Sequence, residues 1–238
     1  MVRSYYRDLR WLELCLRSIA THCRGFRRTI LVVPASSRAR LDHLGLAGDL
    51  TVTCSDFADD YLGQQVTKLT ADQLTDAELI CHVDSDCVFR RPTTPADLLV
   101  GRRPYVLLEP YERLDPHVPW KALTERFLGG TVEHEFMRTP PYTFPRWIYA
   151  ALRAHALETQ GVPLEEYVVA QPHRGFSEFN ALGSFAYRFH REEFMWIDPL
   201  VDEPPEPPCR AFWSRTGPSA EQLREIAELL GERQISRR

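Results

Sequence analysis

LICHVDSDCVF, Leu79 to Phe89, is the stretch that decides the fold. The apolar run ending at Val83 reads as a strand buried on both faces, because large apolar and β-branched residues follow one another without polar alternation. Two aspartates two residues apart then close it, Cys87 to Phe89 resumes as strand, and Arg91-Pro92 ends the segment. In an extended backbone alternate side chains share a face, so Asp84 and Asp86 are expected to point together out of the C-terminal edge of a sheet. Open α/β sheets bind their ligands at that edge. Two carboxylates there repel each other unless a cation lies between them. Hard oxygen ligands favour Mg²⁺ or Mn²⁺, ions that also bind substrate phosphates. The plainer alternative is that one aspartate caps a turn and the other is solvated. A bare Asp-x-Asp is common, and its position at the end of a hydrophobic strand is what favours the metal.

Working outward, helices and strands alternate. Leu9, Leu12, Leu16 and Ile19 have helical spacing and Asp8 stands where a cap belongs, which predicts a helix over residues 8–22. Thr29 to Val33 and Leu50 to Cys54 read as strands, and Gly63 onward, with Val66, Leu69 and Leu74, as the helix before the aspartate strand. This alternation implies a mostly parallel sheet flanked by helices. The strand expected before the first helix is nearly missing: either the sheet begins with a stub, or the start of the chain is assigned too late. Downstream, Tyr105 to Leu108 reads as a strand, and Trp120 to Leu128 and Tyr142 to Leu157 as helices, the second interrupted near Pro145. DEPPEPP, from Asp202, is an extended loop. Ser219 opens a final helix with Gln222 in capping-box position, and Gly231 stops it.

The run GQQVTKLTADQL followed by HVDSDCVFRRP resembles bacterial GT-A glycosyltransferases of a poorly characterised group, in which a Gln-Gln-x-x-Lys helix precedes the Asp-x-Asp strand. YYRDLRWLELCLRSI and FSEFNALGSFAYRF are similar to their opening and acceptor-side segments. The resemblance implies a single GT-A domain over residues 1–238, with residues 1–110 as the nucleotide-sugar-binding half and residues 111–238 as the acceptor-side half. It implies a metal-dependent, hexosyltransferase-type enzyme, with a UDP-sugar as donor, a saccharide or glycoconjugate as acceptor, and a place in bacterial polysaccharide assembly. Tyr6 and Asp8 would lie beside the nucleotide, and Gln64, Gln65, Lys68 and Ser85 would face the donor. Lys68 could pair with phosphate as a point charge, and the glutamines could bond sugar hydroxyls or the base. A solvated helix face carrying Gln and Lys is the ordinary alternative.

An inverting transfer also needs a base for the acceptor hydroxyl. Glu178 is the candidate, flanked by Phe176, Phe179 and Asn180, whose aromatic neighbours would desolvate it and stack on sugar rings. A glutamate in the first turn of a helix is favoured by the dipole alone, which is the competing explanation. Many metal-dependent relatives bring a third ligand, often His, from near the C-terminus. Here AFWSRTGPS holds no His, which leaves Arg215 as a candidate contact to the diphosphate. The eight histidines are dispersed, and His82, inside the buried run, reads as a hydrogen-bonded core residue.

Composition narrows the classes. A net charge of −4 without a basic run excludes a nucleic-acid footprint. The six cysteines match no zinc pattern or disulfide framework, which predicts a reducing, cytoplasmic setting. No signal-peptide core and no apolar stretch of membrane-spanning length appears, while peripheral membrane association stays open. Two other functions compete. A haloacid-dehalogenase-like phosphatase also uses a strand followed by Asp-x-Asp, but there the motif opens the fold, and no downstream acidic pair is found here. A catalytically inactive nucleotide-sugar-binding module would explain the missing third ligand and the short first strand.

Overall fold

The computed structural model describes residues 1–115, 118–212 and 217–231. Among these the chain is α/β with mixed sheets and eight α-helices. In order, the first part runs β1 (Val2–Arg3), α1 (Leu9–His22), β2 (Ile30–Pro34), α2 (Ala35–His43), β3 (Leu50–Cys54), α3 (Asp60–Leu69), β4 (Leu79–Asp84) and β5 (Cys87–Phe89). The middle holds β6 (Leu99–Val100), β7 (Arg103–Leu107), β8 (Glu109–Pro110), α4 (Trp120–Leu128), β9 (His134–Glu135) and β10 (Tyr142–Pro145). Then come α5 (Trp147–Gln160), α6 (Leu164–Val169), α7 (Glu178–Phe189), β11 (Met195–Ile197), β12 (Cys209–Ala211) and α8 (Ala220–Leu229). The chain divides into two compact units interleaved in sequence.

The first unit comprises Met1–Ser55, Val83–Asp97 and Pro207–Arg238. Here β1 lies parallel between β2 and the end of β4, with Arg3 opposite Val32 on one side and Asp84 on the other. β3 adds to β2, also in parallel, so the order is β3-β2-β1-β4. Parallel neighbours require crossovers, and α1 and α2 provide them. The direction of strand addition reverses at β1, which makes the crevice between β1 and β4 a topological switch point. A stub of two residues suffices for β1 because it is paired on both sides.

Of the helical stripe anticipated in α1, Leu9 and Leu12 are buried with Cys15 against Val2, Leu31, Val33 and Val83 of the strands, and Leu16 and Ile19 are partly buried beside them. On its other side Trp11 and Leu14 pack with Val88 and Ile226, which seats α8. Asp8 occupies the N-cap position of α1, but its side chain makes no capping bond. By contrast Ser219 and Gln222 form the full capping box that starts α8, and Gly231 follows the helix with φ 70°. β5 pairs antiparallel with β12, placing Cys87 opposite Ala211 and Phe89 opposite Cys209.

The second unit comprises Asp56–His82 and Leu98–Glu206. The sequence reading fails at one element here. Tyr142 to Pro145 is not helical but a strand, antiparallel to β4 from Tyr142 opposite His82 to Pro145 opposite Leu79. Tyr, Thr and Phe favour a pleated surface, Pro145 ends the ladder, and α5 starts only at Trp147. β7 takes β11 in parallel and β6 antiparallel, and β8 pairs antiparallel with β9. The sheets are therefore mixed, where a mostly parallel sheet was expected. α7 is the central helix of this unit, buried from Glu178 through Ala186. Gly183 lets the Phe136 ring lie against it, since a Cβ there would meet the ring at 2.4 Å. Among the described residues no helix is long and apolar enough to cross a membrane.

Candidate functional site

In the first unit, the aspartate segment folds as strand, two-residue turn, strand. Asp84 is the last residue of β4, Ser85 and Asp86 form the turn, and Cys87 starts β5. Ser85 is buried, whereas both aspartates are half-buried. The turn is tied down from two sides. The Asp86 carbonyl accepts from the Phe212 N–H at 3.0 Å, and the Asp84 carbonyl accepts from the Cys15 thiol at 3.8 Å. Three thiols lie in the core cluster around this turn. Burial pushes Cys15 well up, with Cys209 adding to it, and Cys87 is pushed well up by its hydrogen bond with Cys209 and by burial. The side chains of the turn itself, Asp84, Ser85 and Asp86, offer a cation oxygens, which suits Mg²⁺ or Mn²⁺. Among the described residues no three His, Cys, Asp or Glu side chains are grouped to hold a metal. Two carboxylates from the protein are nonetheless a workable set for Mg²⁺, which keeps several waters and takes phosphate oxygens.

Across the switch point, β1 runs out into Ser4, Tyr5 and Tyr6. The sequence reading passed over Arg3 and Ser4. Arg3 is buried, directly opposite Asp84 in register, and donates to the Ser4 carbonyl at 2.7 Å. Among the described residues the buried Ser4 hydroxyl has no hydrogen-bond partner. A two-residue strand offers no periodicity to mark them; only the pairing makes them neighbours of the aspartates. Tyr6 is held by the Ser37 hydroxyl, which accepts from its N–H at 3.0 Å, and the Arg40 guanidinium lies 4.8 Å above its ring. Arg7 donates to the Tyr6 hydroxyl at 2.9 Å. Asp8, half-buried, follows at the start of α1. Tyr6, Asp8, Ser85 and the two aspartates thus all belong to the ends of β1 and β4, whereas Arg215 lies outside the described residues.

In the second unit, α3 and α7 assemble a buried polar cluster. Asp59 caps α3, its carboxylate accepting from the Tyr61 N–H at 2.9 Å. That cap and the Gly63 contact with Phe57 set the helix so that Gln65 and Lys68, one turn apart, both face inward. Gln64 is half-buried. Lys68 donates to Glu178 Oε1 at 2.7 Å, with the two side chains only 3% and 6% exposed. The ammonium also sits 4.9 Å from the Phe179 ring centroid. Gln65 is 1% exposed, and among the described residues neither its oxygen nor its nitrogen has a hydrogen-bond partner. Tyr61 faces the same pair: burial and the Glu178 charge push its hydroxyl up to about 12, opposed by Arg174, which bonds it, and by Lys68. Arg174 holds a left-handed backbone, φ 61°, unusual for a residue with a Cβ. His173 Nδ1 lies 2.9 Å from Asp59 Oδ2.

Glu178 therefore sits in the first turn of α7 with Ser177 at the N-cap, as the sequence suggested, and its buried partner is Lys68. Asn180 supports this turn, donating to the Ser177 hydroxyl at 2.9 Å and accepting from the Phe136 N–H at 2.8 Å. Phe179 stacks on Tyr142 at 3.9 Å. His82 is the hydrogen-bonded core residue expected of it: Nε2 lies 2.6 Å from the Tyr149 hydroxyl, and burial drives its pKa well below the usual 6.5. Tyr61 and Arg174 were missed because their place in the cluster comes from tertiary packing.

Comparison with known proteins returns no matching family model and no similar curated protein.

Proposed function

We propose that the chain is a metal-dependent glycosyltransferase of the GT-A type, transferring a sugar from a nucleotide diphosphate, UDP by preference, to a hydroxyl of a saccharide or glycoconjugate. The observation that carries the reading is Asp84 at the C-terminal end of β4, in register with Arg3 of β1, at the switch point of a parallel β3-β2-β1-β4 sheet. Ligands of open α/β sheets bind at such a crevice. A divalent cation held by Asp84 and Asp86 would neutralise the charge that grows on the departing diphosphate. Arg3 supplies a fixed positive charge next to Asp84, and Ser4 a hydroxyl seeking a partner. Tyr6, with guanidinium groups on its ring and hydroxyl, offers a flat surface for a base. On chemical grounds Glu178 is assigned as the base for the acceptor hydroxyl through Oε2, with Oε1 held by Lys68, and Gln65 as a donor of hydrogen bonds to a polar ligand.

The test is thermal denaturation of the full chain with UDP, GDP and their sugar conjugates, with and without Mn²⁺. A ligand bound only by the folded state raises its stability. Stabilisation by one nucleotide that requires Mn²⁺ and disappears in Asp84→Asn and Asp86→Asn supports the proposal. No stabilisation by any of them, together with hydrolysis of a generic phosphomonoester, would transfer the aspartates to a phosphatase.

A further inference from the structure

The second unit contains a cavity of about 410 Å³ that uses none of the residues discussed so far as catalytic or donor-binding. One wall comes from α7 and the turn beyond it: Ser184, Tyr187 and Arg188 are spaced i, i+3 and i+4 on the helix, and Arg191 follows in the turn. The facing wall is the segment from Thr131 to Phe136, including His134 of β9. The volume falls in the range of small-ligand sites.

Three features specify what fits. First, among the described residues neither Arg188 nor Arg191 makes an ion pair; Arg191 instead lies 4.4 Å over the Tyr187 ring. The Arg188 guanidinium rests against Gly130, where a Cβ would come within 2.4 Å of Nη1. Among the described residues the acidic side chain on the lining is Glu133, which is exposed, while Asp198 and Glu112 act on His134 from beyond it. On the lining itself two guanidinium groups face one carboxylate, and guanidinium matches carboxylate or phosphate with paired donors. Second, two polar atoms on the lining are buried and lack partners among the described residues: the hydroxyl of Ser184, a residue 4% exposed, and His134 Nδ1. Such atoms cost stability unless a ligand or water satisfies them. Burial lowers the His134 pKa, so its ring is neutral and can exchange hydrogen bonds with hydroxyls. Third, Tyr187 and Phe136 flank the His134 ring, at 4.9 and 6.3 Å, giving an aromatic wall of the kind that takes the C–H face of a sugar ring.

We propose that this cavity binds a monosaccharide unit bearing an anionic group, either a carboxylate or a phosphate, with Arg188 and Arg191 on the anion and Ser184 and His134 on ring hydroxyls. The site needs neither metal nor nucleotide, so its test stands apart from that of the glycosyltransferase reading. Calorimetric titration of the full chain, without metal or nucleotide, compares glucuronate, glucose 6-phosphate, glucose and inorganic phosphate. At least one anionic sugar is expected to bind, and Arg188→Met/Arg191→Met to weaken it by about tenfold or more while leaving the melting temperature unchanged. Gly130→Ala, which pushes the mobile end of Arg188 aside, weakens the same ligand to a smaller degree, and Ser184→Ala weakens it without altering the preference for anions. Which of the two anionic sugars binds separates carboxylate from phosphate as the group recognised. Three results would each overturn the proposal: no binding of either anionic sugar up to about 10 mM, equal binding of neutral glucose, or inorganic phosphate matching the anionic sugars. Binding unaffected by the double arginine variant would overturn it as well.

Discussion

Two pairs of charged side chains illustrate opposite ways of placing a charge. At the end of β4, Asp84 and Asp86 are neighbours in sequence, half-buried, and fixed through their backbones by a thiol and an N–H. Between α3 and α7, Lys68 and Glu178 are 110 residues apart, almost wholly buried, and fixed through their side chains by each other. The first pair keeps its carboxylates within reach of water and hence of a cation. Lys68 and Glu178 have given up water, and each side chain is held by the other. The same kinds of residue are thus left near the surface in one unit and tied to each other in the core of the other. A glutamate so placed has a structural duty whatever its chemical one, so loss of activity in a Glu178 variant means little without a measure of folding.

The sharpest way to break this contrast is to remove one member of the buried pair. Glu178→Gln leaves the Lys68 ammonium without its counter-charge and is expected to cost about 3–5 kcal/mol of unfolding free energy in urea titrations. Lys68→Met with Glu178→Leu should return to within about 1.5 kcal/mol of the unchanged protein. A cost below about 1 kcal/mol for the single change would mean that water reaches the pair. At the strand edge the balance reverses. Asp86→Asn is expected to lower sugar transfer by on the order of 10²–10³-fold, while its melting curve stays within about 0.5 kcal/mol of the unchanged protein. Full activity in that variant would remove the metal from the mechanism.

Smaller effects refine the picture of the buried unit. Tyr149→Phe strips His82 of its partner and should destabilise by about 1–3 kcal/mol. His82 also sets a pH dependence. Burial holds its folded pKa well below 6.5, so under acid conditions the unfolded chain takes up a proton that the folded chain refuses. Stability should therefore fall as pH drops below about 6.5, with a slope of up to about 1.4 kcal/mol per pH unit from this group. Equilibrium unfolding at stepped pH, with His82→Phe flattening that part of the curve, checks it. Least of all, Gln65→Met should cost under about 0.5 kcal/mol or stabilise slightly, because the buried amide it removes has no partner to lose. A larger loss would show that the amide is satisfied in solution, and a loss of ligand binding with stability intact would assign Gln65 to the ligand.

The parts legible in sequence share a local cause. The capping box at Ser219 and Gln222 reads from four residues, and the strands on either side of the aspartates from eleven, whereas the turn at Ser85 and Asp86 replaces the extended backbone expected there. The misreading of Tyr142 to Pro145 came at a segment too short to show a period, where the partner strand decided the outcome. Asp8 is a case between: its position at the cap could be read, but whether its carboxylate made the bond could not. Arg3, Ser4, Tyr61 and the lining of the Arg188 cavity carried no local mark at all.

What the residues alone determined is α1, the strands β2, β3 and β4, the helix before β4 and the presence of two carboxylates at a strand end, while α2 went unread, since side-chain period is a property of neighbouring residues and α2 shows little of it. Tertiary structure alone decided that β10 joins β4 antiparallel, that Arg3 stands opposite Asp84, and that Lys68 meets Glu178. Those outcomes depend on which distant surfaces exclude water together, and burial of that kind leaves no periodic trace in the residues it unites.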